Sequence, residues 1–322
     1  MVPVARQGLL LGASAYVLWG LSVLYWPLAE PTGPLEILAL RVLFSPIAVG
    51  ILLLAMGRVR RLARIVRNPR ALGLLTLAGV LTSLNWALFI WASTNGHVVD
   101  ASLGYFITPL VSVALGVAVL RERLRAGQWA AIGLGAAAVA VLTAAYGGLP
   151  WIALGLASTF GLYGLIKKHL DVGAIEGLMV ETAVLFPFAA AYTIVLQVLG
   201  QATFGHVSLA NTLLGIGSGF VMTVPMLLFN AAATRVPLSV VGMLQFIEPI
   251  VQFLLGVLVF REVMPAARWA AFALLWAALA VLTAEGVRRR RQAAAGDRRS
   301  PRRSARSFRT ASSAVRDQGE TP

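Results

Sequence analysis

Residues 98–143 and 238–283 of the chain align without a gap, and 21 of the 46 positions are identical. The matches include Pro109 with Pro249, Gly116 with Gly256, Arg121-Glu122 with Arg261-Glu262, and Trp129 with Trp269. Shared apolar bias alone gives far fewer. The same offset of 140 residues pairs Glu36 with Glu176, Arg41 with Glu181 and Phe89 with Phe229, while a small shift sets Trp19-Gly20 against Tyr163-Gly164. The chain thus reads as two copies of one unit, and any fold it adopts must be built from that unit twice.

Each unit is dominated by apolar runs long enough to cross a bilayer, for which a helix needs about 20 residues. The 322 residues are 58% hydrophobic and 12% charged, with mean hydropathy +0.81, against about 25% charged in a soluble domain. Spans are predicted at Gly8–Leu28, Leu35–Met56, Ala71–Trp91, Val99–Leu120 and Gln128–Thr143. A second five follow at Trp151–Lys167, Ile175–Leu199, Asn211–Asn230, Pro237–Phe260 and Arg268–Ala284. Pro31, Pro34, Asn95-Gly96, Gly147-Gly148 and Pro237 punctuate the gaps. The first run exceeds the apolar core of a cleavable signal and reads as a retained span.

Five spans is an odd number, so the second copy enters the membrane inverted, with a pseudo-two-fold axis in the membrane plane. The expectation is an all-α membrane protein of ten transmembrane helices, arranged as two inverted five-helix repeats over residues 1–146 and 147–287. Such repeats suit alternating access and occur in channels too. Close packing is expected at Gly8, Gly12, Gly155, Gly161, Gly164, Gly215 and Gly219.

A net charge of +14 resembles that of nucleic-acid binders, but the cations lie in short loops and one tail, so no nucleic-acid partner is expected. With the N-terminus inside, 24 Lys and Arg fall on the cytoplasmic side and only Arg261 and Arg268 on the other, with Arg41 inside a span. Both termini are therefore predicted cytoplasmic. Arg288 to Arg291 follow the last span, where anionic lipid offers about 1 kcal/mol per charge. Residues 288–322 are expected to form a disordered basic cytoplasmic tail, rich in Arg, Ser and Thr from Asp297 onward.

A charge at the centre of a span costs about 2.5 to 3.5 kcal/mol on insertion scales, so it should face the protein interior and be paired. Arg41 and Glu181, equivalent in the two copies, are expected to face each other across the pseudo-axis, either gating a cavity or forming a structural ion pair. Glu36 and Glu176 sit at span entrances and are expected to reach interfacial water. Glu248 lies beside Pro249, which with Pro109 is expected to kink its helix and free carbonyls toward a cavity. That carboxylate is a candidate to bind a cation or carry a proton, or else is a hydrogen-bonded structural group. Asn85, Trp86, Tyr105, Gln245 and Asn230 are polar or amphipathic groups of the kind that orient a solute in an apolar pocket. Trp26, Trp91 and Trp151 are assigned to the interfacial belt.

The chain has no Cys, no HExxH, no phosphate-binding GxxxxGK[ST] loop and no GxSxG, and its three His (97, 169 and 206) are far apart. No enzyme activity, catalytic residue, metal site or cofactor is expected, and no nucleotide-driven pumping.

Several stretches resemble the RarD branch of the EamA group in the drug/metabolite transporter superfamily. They are Glu36-Ile-Leu-Ala-Leu-Arg41-Val, Asn85-Trp-Ala-Leu-Phe-Ile-Trp91, Ala101-Ser-Leu-Gly-Tyr-Phe-Ile-Thr-Pro109-Leu, Glu181-Thr182 and Trp276-Ala-Ala-Leu-Ala. The likeness covers nearly all of residues 6–284. It implies ten spans, cytoplasmic termini, a plasma-membrane location and permease activity on small metabolites or drug-like solutes, with a chloramphenicol-sensitivity association in the family's name and no settled substrate. Arg41, Asn85, Trp86, Tyr105 and Glu181 fall on matching positions, whereas Glu248 stands where the family usually has a small residue. The basic tail is also outside the shared pattern. A flippase for lipids or lipid-linked sugars is the alternative, since the same architecture supports it. Membrane lipids and possible proton or ion coupling complete the expected partners.

Overall fold

The computed structural model describes residues 3–121, 124, 126–170, 172–221, 223–233, 235–236 and 244–297. Among them there are helices and no strands. The elements are α1 (Pro3–Leu21), a 3-10 turn (Ser22–Leu24), α2 (Tyr25–Leu28), α3 (Pro34–Ala55), α4 (Val59–Val66), α5 (Pro69–Thr94), α6 (Val98–Leu120) and α7 (Ala126–Tyr146). They continue with α8 (Trp151–His169), α9 (Ala174–Val198), α10 (Leu209–Val221), α11 (Thr223–Ala233), α12 (Ile247–Leu258) and α13 (Ala266–Asp297).

Eight helical stretches among the described residues are long and apolar enough to cross a membrane, and Trp151–Lys167 and Ile247–Leu258 are shorter apolar helices. The span expected at Pro237–Phe260 begins outside the described residues, and the tail from residue 298 lies outside them; residues 288–297, expected to be disordered, are instead the end of α13. Large apolar side chains such as Phe188, Val198 and Leu54 lie on the outer surface of the bundle. Water would penalise that surface and hydrocarbon does not, so the chain is a multi-pass membrane protein.

Local chemistry accounts for the helix ends. Pro34 and Pro69 occupy first-turn positions where no helical N–H is lost. Asn68 caps α5 by accepting from the N–H of Arg70 and Ala71. Arg121 and Arg261, 140 residues apart, both take a left-handed φ, of 53° and 52°, at the ends of α6 and of the segment after α12.

The helices pack in a defined set of pairs: α1 with α11 and α12, α3 with α9 and α10, α5 with α8 and α9, α6 with α8 and α12, and α7 with α13. Small residues set several of these contacts. A methyl group on Gly219 would lie 2.6 Å from the backbone carbon of Phe44, and one on Gly104 would lie 2.9 Å from the carbonyl oxygen of Ala153. Gly8, Gly12, Gly155, Gly161 and Gly215 are similarly crowded, as expected. Gly164 is not: nothing lies within 4 Å of its added carbon.

A further expectation is corrected. Glu36 and Glu176 do not reach interfacial water; both are buried. The connection after α9 folds back over α3, and Glu36 accepts from the N–H of Thr203 (2.9 Å) and Phe204 (3.1 Å) and from the Thr203 hydroxyl (2.9 Å). Glu176 lies 3.7 Å from the Arg58 guanidinium. Pro249 falls in the first turn of α12, after a turn at 245–246 that separates α12 from the helical Leu244, and residues 237–243 of the expected span lie outside the described residues.

Candidate functional site

A cavity of about 360 Å³ lies between the helices, and all seven sequence candidates line it: Arg41, Asn85, Trp86, Tyr105, Glu181, Gln245 and Glu248. The side chain of Asn230, also singled out above, lies outside the described residues. Tyr16, Trp19, Phe89, Phe160, Tyr163 and Phe229 make the rest of the wall largely aromatic. Such a lining desolvates a solute by burial and leaves orientation to a few polar groups.

Arg41, on α3, is buried, and its guanidinium carbon sits 3.8 Å from the ring centroid of Trp86 and 5.5 Å from that of Trp26. Cation–π attraction thus takes the role assigned to Glu181. Its Nε and Nη2 have no hydrogen-bond partner among the described residues. Trp26 is therefore a buried partner of Arg41 rather than an interfacial anchor.

Glu181, on α9, pairs instead with Lys167, the last-turn lysine of α8, at 2.9 Å. Tyr163, one turn earlier on α8, lies beside the same carboxylate and under the lysine, 5.6 Å from ring centroid to Nζ. The facing Arg41–Glu181 pair is thus corrected: the two charges share the cavity but have separate partners. A lysine one or two turns along a neighbouring helix reaches Glu181 better than a guanidinium held between two indoles.

Asn85 is saturated by the protein. Its amide donates to the carbonyl of Leu156 (3.0 Å) and the hydroxyl of Thr159 (2.9 Å), and its oxygen accepts from the Tyr105 hydroxyl (3.3 Å). It therefore ties α5 to α8 and holds Tyr105 in place. Glu248 accepts from Gln252 one turn on, at 3.3 Å. The hydroxyl of Ser102 on α6 donates to the Pro249 carbonyl at 2.7 Å, joining α6 to α12 beside it.

Sequence reasoning missed Lys167, Tyr163 and Trp19 as parts of this site. Lys167 reads as a cytoplasmic charge, because hydropathy places it at the very end of a span. The other two carried a signal, since Trp19-Gly20 and Tyr163-Gly164 match between the repeats, and both aromatic side chains line the cavity.

A bundle with an apolar exterior around a largely aromatic cavity, with charges only at chosen points, has the build of a membrane transporter. The EamA-like transporter family matches residues 6–144. Protein RarD of Streptomyces exfoliatus is 51% identical over 90% of this chain and 92% of its own length. An uncharacterized transporter of Vibrio cholerae is 38% identical over 88% of this chain and 94% of its own. A crystal structure at 20% identity superposes with TM-score 0.56 over 88% of this chain and 98% of that one, which shows a shared fold. The chain belongs to the EamA-like transporters, among their RarD members.

Proposed function

We propose that this protein is a secondary transporter which moves a small metabolite or drug-like solute across the plasma membrane by alternating access, with the cavity as the solute site. One observation carries the reading. The cavity wall contains six pairs of residues offset by 140 positions, among them Arg41 with Glu181, Trp86 with Met226, Tyr105 with Gln245 and Thr108 with Glu248. The void thus forms where equivalent surfaces of two copies meet, which is what exchange of conformation between inverted halves requires.

The packing supports ten spans in two five-helix repeats, 1–146 and 147–287. Counting α1 with α2 and α10 with α11 as single spans, every helix pair given above either maps onto another pair or onto itself when the halves are exchanged. The left-handed Arg121 and Arg261 obey the same relation. The arginine count favours cytoplasmic termini. On this reading the outer ends are tied across the halves by Glu36 to residues 203–204, by Glu262 to the N–H of Val99 (3.0 Å), and by Arg268 to Asp100 (3.1 Å). At the inner end, among the described residues, Arg58 and Glu176 form an ion pair across the halves at 3.7 Å. The wall drawn from eight helices favours an enclosed solute chamber over the lateral groove that a lipid flippase needs.

The test is metabolite profiling of cells with and without the chain, followed by counterflow of the changed solutes in proteoliposomes. Counterflow of at least one such solute is expected; none in protein shown to be folded would refute the reading.

A further inference from the structure

The guanidinium of Arg41 has its two faces and its edges in different circumstances. Trp86 and Trp26 lie against it, while Nε and Nη2, both buried, lack any partner among the described residues. No described carboxylate is ion-paired with it, since Glu181 is engaged by Lys167 and Glu248 by Gln252. Nε–H and Nη2–H are the two parallel donors of one guanidinium edge. That edge is the one a planar oxyanion takes in bidentate fashion. Buried donors left unmatched are costly, and a cavity-lining residue can have them matched by what enters the cavity.

The remaining wall limits what the oxyanion can belong to. Trp19 Nε1 and Thr82 Oγ1 are further buried atoms without partners, and both residues line the cavity. Each offers another donor. Among the described lining residues Arg41 is the one cation, so a second negative charge on the solute would be left unmatched. The aromatic side chains supply flat apolar surface for a ring.

We infer that the cavity takes a solute with one carboxylate on an apolar, ring-bearing body, the carboxylate lying on the Nε/Nη2 edge of Arg41. The inference rests on the transporter reading above and adds the chemical class of the solute. Arg41 is then the residue that selects for the anion, and its two indole neighbours hold its plane so that the edge is preset.

The test uses the full chain in nanodiscs and radiolabelled benzoate as the probe, with benzyl alcohol as its neutral counterpart. Saturable benzoate binding is expected, undisturbed by a tenfold excess of benzyl alcohol or by replacing chloride with sulfate. R41K should weaken it about tenfold, because one point charge replaces two aligned donors, and R41Q should leave no detectable binding. The comparison of probes on the wild-type protein stands even where a variant fails to fold. No benzoate binding by folded wild type, equal displacement by benzyl alcohol or chloride, or unaltered binding in folded R41Q would overturn the assignment. Counterflow of the profiled solutes separates the two readings. If they move while benzoate does not bind, the carboxylate assignment alone falls. If benzoate binds on Arg41 and no solute moves, transport falls and the site stands.

Discussion

Neutralising one member of the Lys167–Glu181 pair should cost more than its share of neutralising both. At 2.9 Å and an effective dielectric of about 20, the gross attraction is about 6 kcal/mol. Desolvation of a nearly buried carboxylate and ordering of a long lysine take back much of that. Removing either partner still strands the other: E181Q leaves an ammonium beside Tyr163 with no counter-charge, and K167M leaves a carboxylate in the cavity wall. The lysine side chain is 19% exposed, which places each single loss at the lower end for buried pairs, about 3 kcal/mol. The double variant K167M/E181Q strands nothing, so its loss should be about 3 to 4 kcal/mol rather than the sum of about 6, a coupling of 2 to 3 kcal/mol. SDS-titrated unfolding in mixed micelles reads these differences. The parallel cycle with R41Q and E181Q should be additive within about 0.5 kcal/mol, because those side chains share no partner. Strong coupling in the Arg41 cycle and none in the Lys167 cycle would refute the assignment of partners.

G219A should lower stability by about 1 to 3 kcal/mol, since its methyl group would press on the backbone at Phe44, whereas G164A should be neutral or slightly stabilising; the same unfolding assay compares them. E36A should cost about 2 to 4 kcal/mol by leaving the N–H groups of Thr203 and Phe204 without their carboxylate, and faster proteolysis in the 199–208 connection should report it. If Glu248 carries a coupling proton, E248Q should retain counterflow and lose its response to an imposed pH gradient; an unchanged response in proteoliposomes would remove Glu248 from coupling.

The breaks between helices were the most legible part of the fold, because they are written in residues with few alternatives. Gly96 and Gly147 take the positive φ that ends a helix, and Pro34 stands where a helix begins. The interruption inside the first span was not legible. Leu21 passes into a 3-10 turn, yet it carries no mark in hydropathy, which averages over a turn or more. The burial of Glu36 was illegible for a related reason. Nothing near Glu36 in sequence shows that residues 203 and 204 fold over it from 167 positions away.

The candidate site divides along the same line. That seven separate polar or amphipathic residues should meet was readable from the cost of leaving them in lipid together with the repeat, which places equivalent positions at equivalent depths. Which of them touch was not. These helices are apolar on nearly every face, so no stripe fixes their rotation about the axis, and repeat symmetry relates Arg41 to Glu181 without requiring contact. On the alternating-access reading the symmetry is silent on such a bond, because exchanging the conformations of the halves leaves the distance between two equivalent positions the same in the two end states. Partners drawn from within one half, as Lys167 and Tyr163 are for Glu181 and Trp26 and Trp86 are for Arg41, keep each charge satisfied while the halves move and leave the donors of Arg41 for the solute.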